Sequence, residues 1–555
     1  MGRFASGGAT VSLAPATPPP AAQEGGAPAS AGAAGVLGTG AIPVGSTPQS
    51  SQGTLARSIS WLTVGQIATW ALTLVWTVYV PRRLGSSQIG IFTLSAAVAG
   101  VLMVIIGLGM RPLLVREIAS HPDRAPRLIG AAMVLRALFA VPALVIAVLL
   151  AWLGPFHGEE SIAILLGWCA CVLGALAEPV AAGFQGVEKM RYLTYFTVLG
   201  SVLGTVSSIT LVTLGVRAIG LLLNGLAIGA LSAALMLVWA RPHFRIEWRV
   251  TRQELTSLLV RSLPYWSFAA FYTIYLWIDS LMLGAMTTSS VLGWYGVPTR
   301  LFGTLLFIPN ILTTAWLSQL ARAHTGGGKV QLLRAARPAI ETTMVLSLPV
   351  CAGSVLVADP LVHALYGSGF AESGPVFALL ALCVPPMYIN MMANQVMVAR
   401  DQQVIWTKMM ILATVVNPVA NFFLIPYFQR TQGDGAIGAA IAMVITEVIL
   451  AAIAIFLIRD AFTRQMGARL ARAVVATGGM AALVVLGLRV NLGIGVVSGL
   501  VSFPVLALAL RVVSGEERRQ LWSLARHLRR SSENQSPTAL PFEGAAQERA
   551  DGAPS

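Results

Sequence analysis

Apolar stretches of about 20 residues recur between residues 58 and 510 and are separated by short polar segments. Each stretch is long enough to cross a bilayer core of about 30 Å as an α-helix. The pattern predicts an all-α polytopic membrane protein with about fourteen transmembrane helices. The predicted spans are 58–81, 88–110, 128–153, 162–187, 192–215, 218–240, 258–286, 291–320, 338–358, 375–398, 409–427, 436–458, 473–488 and 492–510.

Positive charges alternate between the loops in a way that supports this count. The loops after even-numbered spans contain twenty Lys and Arg residues, and those after odd-numbered spans contain five. Lys and Arg collect in cytoplasmic loops. Both termini are therefore predicted to be cytoplasmic, and a missed helix would have disrupted the alternation.

The two ends of the chain have a different composition. Residues 1–55 are mostly Ala, Gly, Pro, Ser and Thr without apolar periodicity, which predicts a disordered cytoplasmic leader. Residues 513–555 begin as a basic amphipathic helix, expected on the membrane surface, and finish as a disordered cytoplasmic tail.

Two pairs of similar segments indicate an internal repeat. "RAIGLLLNGLAIGALSAALM" opens span six and "GAIGAAIAMVITEVILAAIA" opens span twelve, while "RRLGSSQIGIFTLSAAV" and "LMLGAMTTSSVLGWYGV" follow spans one and seven. Many secondary transporters have such related halves around a central site. The sequence therefore predicts two related six-helix lobes, 56–240 and 256–458, followed by two extra transmembrane helices within 470–512.

Composition excludes several classes of protein. The chain is 56% hydrophobic and 11% charged, far from the composition of a soluble enzyme, and its formal charge of +14 follows from topology rather than from a nucleic-acid partner. All four cysteines lie in apolar runs, as small buried hydrophobes do. No nucleotide loop, metal-ligand spacing or catalytic constellation occurs, so neither enzymatic activity nor a cofactor is expected.

Six segments stand in the order and spacing of a known family: "RRLGSSQIGIFTL", "GLGMRPLLVREIA", "FQGVEKMRYLTYF", "WIDSLMLGAMTTSSVLGWYGVPTRL", "ADPLVHALYGSGFAESGPVF" and "GDGAIGAAIAMVITEVI". The chain thereby resembles the polysaccharide transport or oligosaccharide flippase family of the multidrug, oligosaccharidyl-lipid and polysaccharide exporter superfamily.

That resemblance implies a function. The protein is expected to move an undecaprenyl-diphosphate-linked oligosaccharide across the bacterial inner membrane by alternating access, for surface polysaccharide biosynthesis. Its expected partners are the lipid-linked oligosaccharide, membrane lipid, a coupling cation (proton or sodium) and a polysaccharide polymerase.

Ionisable residues inside the spans are candidate functional groups, because burying them in a membrane costs several kcal/mol. Arg136 and Glu178 lie at similar depths on neighbouring helices, as a structural ion pair or a gate. Asp279 and Arg300 permit a second pair. The resemblance places both on helices that line the central cavity, where the planar guanidinium of Arg300 suits a phosphate group.

Other charged residues have two interpretations each. Glu447 and Asp279 are candidate carriers of a proton or sodium ion, although Glu447 equally fits a hydrogen-bonded core residue. Arg83 and Arg261, near the ends of spans, are candidates for contact with a diphosphate, with snorkelling to the interface as the competing explanation.

Aromatic residues add a further candidate surface. On span seven, Tyr265, Phe268, Tyr272, Tyr275 and Asp279 recur at spacings of 3, 4, 3 and 4 residues and share one helical face. Tyr272, Tyr275 and, on span one, Trp76 are candidates to stack on sugar rings. Contact with lipid and the interfacial belts is the alternative.

Two alternative functions stay open. A cation-coupled multidrug exporter of the same superfamily would use acidic residues such as Asp279 and Glu447 in its lumen. A non-transporting scaffold for cell-wall synthesis would bind its partners through the leader or the basic tail.

Overall fold

The computed structural model describes residues 69, 72–400 and 402–512, and only the backbone of residues 311, 314–335 and 403. Within these ranges the chain is helical and contains no β-strand. The leader 1–55, most of the first half of span one and the tail 513–555 lie outside the described residues. The helices are α1 (72–84), α2 (Ser86–Gly107), α3 (Met110–Ser120), α4 (Ala125–Leu153), α5 (Glu159–Gly186), α6 (Met190–Thr213), α7 (Ala218–Ala240), α8 (Arg252–Met286), α9 (Ser289–Leu305), α10 (Phe307–Tyr366), α11 (Ser373–Ala381), α12 (Val384–Ala399), α13 (Gln403–Gln432), α14 (Gly435–Leu457), α15 (Arg464–Leu488) and α16 (Leu492–Ala509).

Most of these helices are long and apolar enough to cross a membrane. The described residues include twelve such segments, and α11 and α12, bent by 42° at a short break, make a thirteenth. These thirteen correspond to predicted spans two to fourteen, and α1 is the end of span one. The predicted fold class, an all-α polytopic membrane protein, is confirmed.

Two segments that the sequence pattern leaves as loops are helical. One is α3, which follows a sharp corner at Leu108 and Gly109, whose φ angles are 53° and 57°. A side chain at Gly109 would also clash with the backbone of Trp266 on α8, so this corner requires glycine. The other is the middle of α10, a continuous helix of 60 residues. Polar residues in a helix outside the bilayer need not end it, so the polar pattern was no evidence for a loop.

The helices form two lobes and an appended pair. Helices α2–α7 belong to the first lobe and α9–α14 to the second, while α15 and α16 pack on each other and on α10. Val345, Ala473 and Ala507 are buried in that last contact. The four cysteines are free thiols, two buried and two half-buried.

The lobes meet at their outer ends through α2 and α9. "Outer" denotes the side that the charge pattern assigns to the outside of the cell. Both helices begin with Ser-Ser-x-x-Gly, at residues 86–90 and 289–293. A β-carbon on Gly90 would clash with the Ser289 carbonyl, and one on Gly293 with the Ser86 carbonyl. The two segments that the sequence pairs as a repeat thus meet in a reciprocal backbone contact.

Helix α8 is attached to both lobes. Near the start of α8, Arg261 forms an ion pair with Glu117 of α3, and the Trp266 indole donates to the Val104 carbonyl at 2.7 Å. Further along α8, the Thr414 hydroxyl of α13 donates to the Phe271 carbonyl at 3.0 Å. Beyond Phe271, Trp277 of α8 lies against Gly100 of α2, so the second half of α8 is held by both lobes.

The segment between α7 and α8 is also held by the first lobe. The Glu247 amide donates to the Pro126 carbonyl at the start of α4, at 3.2 Å. At the start of α8, a capping box joins Thr251 and Glu254, and Glu254 forms an ion pair of 2.5 Å with Arg127 of α4. The segment that connects α7 to α8 is therefore fixed to the first lobe.

Candidate functional site

The ion pair between Arg136 and Glu178 is present in the first lobe. The Arg136 side chain is fully buried, and its Nη1 lies 2.7 Å from the Glu178 carboxylate. Arg136 also donates to the carbonyls of Ala175 at 2.6 Å and Gly107 at 3.2 Å. Gly107 is the last residue of α2, where the helix leaves carbonyls without a helical donor. Arg136 thereby ties α4 to α5 and to the corner between α2 and α3.

The second predicted pair, Asp279 with Arg300, is not formed. Asp279 is buried in the second lobe, where it accepts hydrogen bonds from the Tyr295 hydroxyl at 2.8 Å and the Asn421 amide at 2.6 Å. The Asn421 amide also donates to Asn417 on the preceding turn of α13, at 2.9 Å. Neutral donors therefore satisfy this carboxylate in place of a cation.

Glu447 has a similar environment. It is 3% exposed on α14 and accepts hydrogen bonds from the Tyr275 hydroxyl at 2.5 Å and the Asn390 amide at 2.8 Å. The two carboxylates thus lie within one lobe, on α8 and α14. Neither has an Arg or Lys partner among the described residues.

Amide oxygens around these carboxylates lack donors. Asn421 Oδ1 and Asn390 Oδ1 are both buried and have no hydrogen-bond partner within the described ranges. Buried oxygens without donors are costly, and carboxylate, amide and hydroxyl oxygens are the groups that coordinate hard cations. The arrangement therefore fits a proton on either carboxylate or one bound monovalent cation.

Arg300 lies where the two lobes meet. Its guanidinium carbon is 4.7 Å from the centre of the Trp76 ring on α1 and 5.3 Å from that of Phe92 on α2. Within the described part of the chain it has no carboxylate partner. Aromatic faces attract a guanidinium without neutralising its charge. Arg300 therefore retains its positive charge between the lobes.

The predicted aromatic candidates face the protein in this conformation. Tyr275 is 6% exposed in the core of the second lobe, and Tyr272 packs on the same core with its ring stacked on Phe268 at 6.0 Å. Trp76 faces Arg300. Tyr275 thus presents no free ring face to a sugar, whereas Tyr272 and Trp76 are half-buried.

The remaining candidates lie at the ends of helices. Arg83 is exposed at the outer end of α1, with its guanidinium 5.8 Å from the Tyr79 ring, and Arg261 lies in the ion pair with Glu117. The structure brings neither to Arg300.

Sequence reasoning missed the amides of the second lobe. Asn390, Asn417 and Asn421 are polar residues within predicted spans, and Asn417 and Asn421 are one helical turn apart. Polar side chains inside membrane spans are rare enough to be signals in their own right. A search restricted to charged residues could not find them.

Comparison with known proteins bears on this arrangement. Residues 55–322 match the family described as polysaccharide biosynthesis protein. The predicted family resemblance is confirmed. The probable flippase AglR of Haloferax volcanii is 24% identical over 381 residues, which cover 67% of this chain and 76% of that protein. A probable low-salt glycan biosynthesis flippase of the same organism is 20% identical over 403 residues, which cover 70% of this chain and 80% of that protein.

Two solved structures share the fold. The lipid II flippase MurJ in an inward closed conformation has a TM-score of 0.66 at 13% identity and covers 81% of this chain and 99% of its own. An inward-facing multidrug resistance transporter of the MATE family has a TM-score of 0.59 at 16% identity and covers 74% and 98%. The chain therefore has the fold of these all-helical membrane transporters.

Proposed function

We propose that this protein is a flippase, without enzymatic activity, that moves an undecaprenyl-diphosphate-linked oligosaccharide from the inner to the outer leaflet of a bacterial inner membrane. The product would feed surface polysaccharide biosynthesis, and a polysaccharide polymerase would consume it. The family match and the names of the two relatives support this class of function. The observation that carries the proposal is the unpaired guanidinium of Arg300 between the lobes.

A diphosphate headgroup needs such a cation. Its negative charge cannot cross the apolar core uncompensated, whereas the lipid tail can stay in the bilayer. A guanidinium holds two phosphoryl oxygens at once and remains charged in an apolar setting. Stacking on Trp76 and Phe92 keeps Arg300 oriented and leaves its N–H groups available.

The contacts between the lobes support a mechanism of alternating access. The outer ends are closed by the reciprocal contact of Gly90 with Ser289 and of Gly293 with Ser86. Because the outer ends are closed in this conformation, substrate would enter from the inner leaflet, on the side predicted to hold both termini. Release on the other side requires that α2 and α9 separate.

The coupling cation is assigned to the second lobe. Asp279 and Glu447 each have two neutral donors and a neighbouring amide oxygen without one. A proton or a sodium ion bound there would neutralise a buried carboxylate and alter the packing of α8 against α13 and α14. Because α8 also contacts the first lobe, binding of the cation would change the contact between the lobes.

The test is the leaflet distribution of undecaprenyl-linked oligosaccharide in membranes that contain wild-type protein, Arg300→Ala, Arg489→Ala or no protein. Arg489 is an exposed arginine of an outer loop and serves as the matched control. We expect accumulation on the inner leaflet without the protein and with Arg300→Ala at normal protein level, and normal distribution with Arg489→Ala. A normal distribution in the absence of the protein would refute the proposal.

A cation-coupled multidrug exporter is the second candidate, because two buried carboxylates without cationic partners also suit the export of cationic drugs. A deletion strain that is sensitive to cationic dyes but assembles normal glycan would favour it. A scaffold would instead lose function when residues 1–55 or 513–555 are removed, and a transporter would not.

A further inference from the structure

Two arginines of the second lobe converge on one short segment at the end of α14. Arg400, which directly follows α12, donates through Nη2 to both carboxylate oxygens of Asp460, at 3.1 and 3.2 Å. Arg337 of α10 donates through Nη2 to the backbone carbonyl of the same residue at 3.3 Å. Asp460 lies in a short 3-10 helix, Arg459–Ala461, just after α14. The two guanidinium groups are therefore neighbours, because both bind one residue.

Each of these guanidinium groups has a buried donor that is not used. The Nε atoms of Arg337 and Arg400 are both buried, and neither has an acceptor among the described residues. The Arg400 side chain is only 10% exposed. Buried donors are nearly always paired, and a guanidinium has N–H groups but no acceptor to offer its neighbour. Two adjacent groups with unpaired donors are therefore suited to bind an acceptor from outside the chain.

A third arginine adds to the positive charge at this place. The Arg459 guanidinium lies 4.8 Å from the centre of the Phe456 ring, a contact that does not neutralise it. Within the described ranges, Asp460 is the one acidic residue that forms an ion pair with Arg400, and Arg337 forms none. Arg337, Arg400 and Arg459 are here called the arginine cluster. Their excess of positive charge favours an anion as the acceptor.

The position of the arginine cluster indicates the kind of anion. Helix α14 starts at the outer corner beside Asp434, so its other end lies on the side predicted to be cytoplasmic. Arg337 is in the first turn of the apolar segment Ala336–Tyr366, and Arg459 follows the apolar segment Gly435–Leu457. The arginines are thus at the level where membrane-spanning segments meet lipid headgroups, and basic residues at this level attract anionic lipids.

An exposed apolar face of α14 leads to the arginine cluster. Four residues that share this face are 37–63% exposed, namely Ile445, Val448, Ile449 and Phe456. Phe456 is the last of them and lies under the Arg459 guanidinium. Acyl chains cover such a face in a membrane, and the phosphate of the same lipid then lies at the arginines. A soluble anion would use only the charged part of this surface.

We propose that the arginine cluster binds the phosphate headgroup of an anionic phospholipid. This inference is independent of the proposed transport function. The phosphate accepts hydrogen bonds from the unused Nε–H groups of Arg337 and Arg400, and the acyl chains pack on the exposed face of α14. Because its arginines come from the ends of α10, α12 and α14, the bound lipid joins three helices of the second lobe.

The experiment measures binding of dioleoyl phosphatidylglycerol to the full chain in detergent, with dioleoyl phosphatidylcholine as the zwitterionic comparison. Native mass spectrometry counts the bound lipid, and the unfolding temperature reports its effect on stability. Wild-type protein should bind phosphatidylglycerol more tightly than phosphatidylcholine and should unfold at a higher temperature with it. Arg400→Gln and Arg337→Gln should each weaken binding of phosphatidylglycerol about tenfold, the loss expected for a hydrogen bond to a charged group.

Two further variants separate lipid binding from a purely structural role. Asp460→Asn removes the competing carboxylate and keeps the shape of the side chain, so it should strengthen phosphatidylglycerol binding although Arg400 loses its ion pair. Arg241→Gln removes an exposed arginine at the end of α7, on the same predicted side, and should change the affinity less than about twofold. A structural ion pair instead predicts that Arg400→Gln and Asp460→Asn both lower the unfolding temperature, whichever lipid is present.

Each outcome supports or overturns the lipid site. Equal binding of the two lipids by wild-type protein would overturn it, as would full phosphatidylglycerol binding in both arginine variants. Weaker or unchanged phosphatidylglycerol binding in Asp460→Asn would make the ion pair structural and would also overturn it. Glycerol 3-phosphate is the probe for the headgroup alone. If it raises the unfolding temperature with the same dependence on Arg400, the site binds a soluble anion and the assignment to lipid fails.

Discussion

Gly90 lies against the carbonyl oxygen of Ser289, and the equivalent pair, Gly293 and Ser86, repeats this contact across the lobes. Small residues allow membrane helices to approach this closely, and here the contact is between backbones. The closed outer end therefore depends on two positions that tolerate no side chain. Each half of the chain contributes the same five-residue pattern, Ser-Ser-x-x-Gly, to this contact.

Gly90→Ala should shift the protein away from the conformation that is closed on the outside. Overpacking of a well-packed contact costs about 1–3 kcal/mol. The added methyl group has this cost only in the conformation in which α2 and α9 are in contact. Spin labels at positions 214 and 430, in exposed outer segments of the two lobes, should report a longer distance. Gly293→Ala should act in the same direction.

Gly204→Ala is the control for this experiment, because a β-carbon at Gly204 of α6 meets no atom within 4 Å. It should leave the distance between the labels unchanged. An unchanged distance in Gly90→Ala as well would show that the outer contact does not limit opening.

Arg136→Ala should strongly destabilise the first lobe. Removal of one partner from a buried ion pair costs about 3–5 kcal/mol, since Glu178 stays in an apolar setting without its cation. The carbonyls of Gly107 and Ala175 also lose their donor. The free energy of unfolding in detergent measures this loss.

The exposed pair of Arg127 and Glu254 provides the comparison. The Arg127 side chain is 55% exposed, so Arg127→Ala should cost about 0–1 kcal/mol. Equal losses in the two variants would contradict a structural role for Arg136. A stable Arg136→Ala variant that fails to transport would instead indicate a gate.

Asp434 should make the outer corner between α13 and α14 more stable in mild acid. Burial raises the pKa of its carboxyl from 3.8 to about 6, and the nearby Glu372 carboxylate adds to the rise. A raised pKa in the folded state means that protonation favours folding. Stability from this group is therefore full below 3.8 and is lost as the pH rises through about 6.

Unfolding temperatures of wild-type protein and Asp434→Asn across this pH range measure the effect. Asparagine also caps helices well and can replace the hydrogen bond from the Ala436 amide, so the variant should fold. Its unfolding temperature should depend less on pH than that of the wild type. Parallel curves for the two proteins would assign the pH dependence to other groups.

The fold could be predicted because each of its determinants is local in sequence. The length of an apolar stretch sets the span, and Arg and Lys at its ends set the direction. The pair of Arg136 and Glu178 followed from depth along neighbouring antiparallel helices. Depth was sufficient there because the two residues also face each other.

Depth in the membrane did not predict the partners of Asp279 and Arg300, because depth does not specify the direction in which a side chain points around the helix axis. Asp279 on α8 faces Asn421 of α13, and Arg300 on α9 faces Trp76 of α1. Helix rotation is set by packing between distant segments, which periodicity in one span does not report.

The segment between α7 and α8, which is fixed to the first lobe, determines where the chain must deform when the lobes move. Because Glu247, Glu254 and Arg261 all bind the first lobe, relative movement of the lobes must be taken up beyond Arg261, along α8. The rest of that helix packs on both lobes, with Trp277 against Gly100 of α2 and the Phe271 carbonyl bonded to Thr414 of α13. The stiffness of α8 therefore limits how far the lobes can separate.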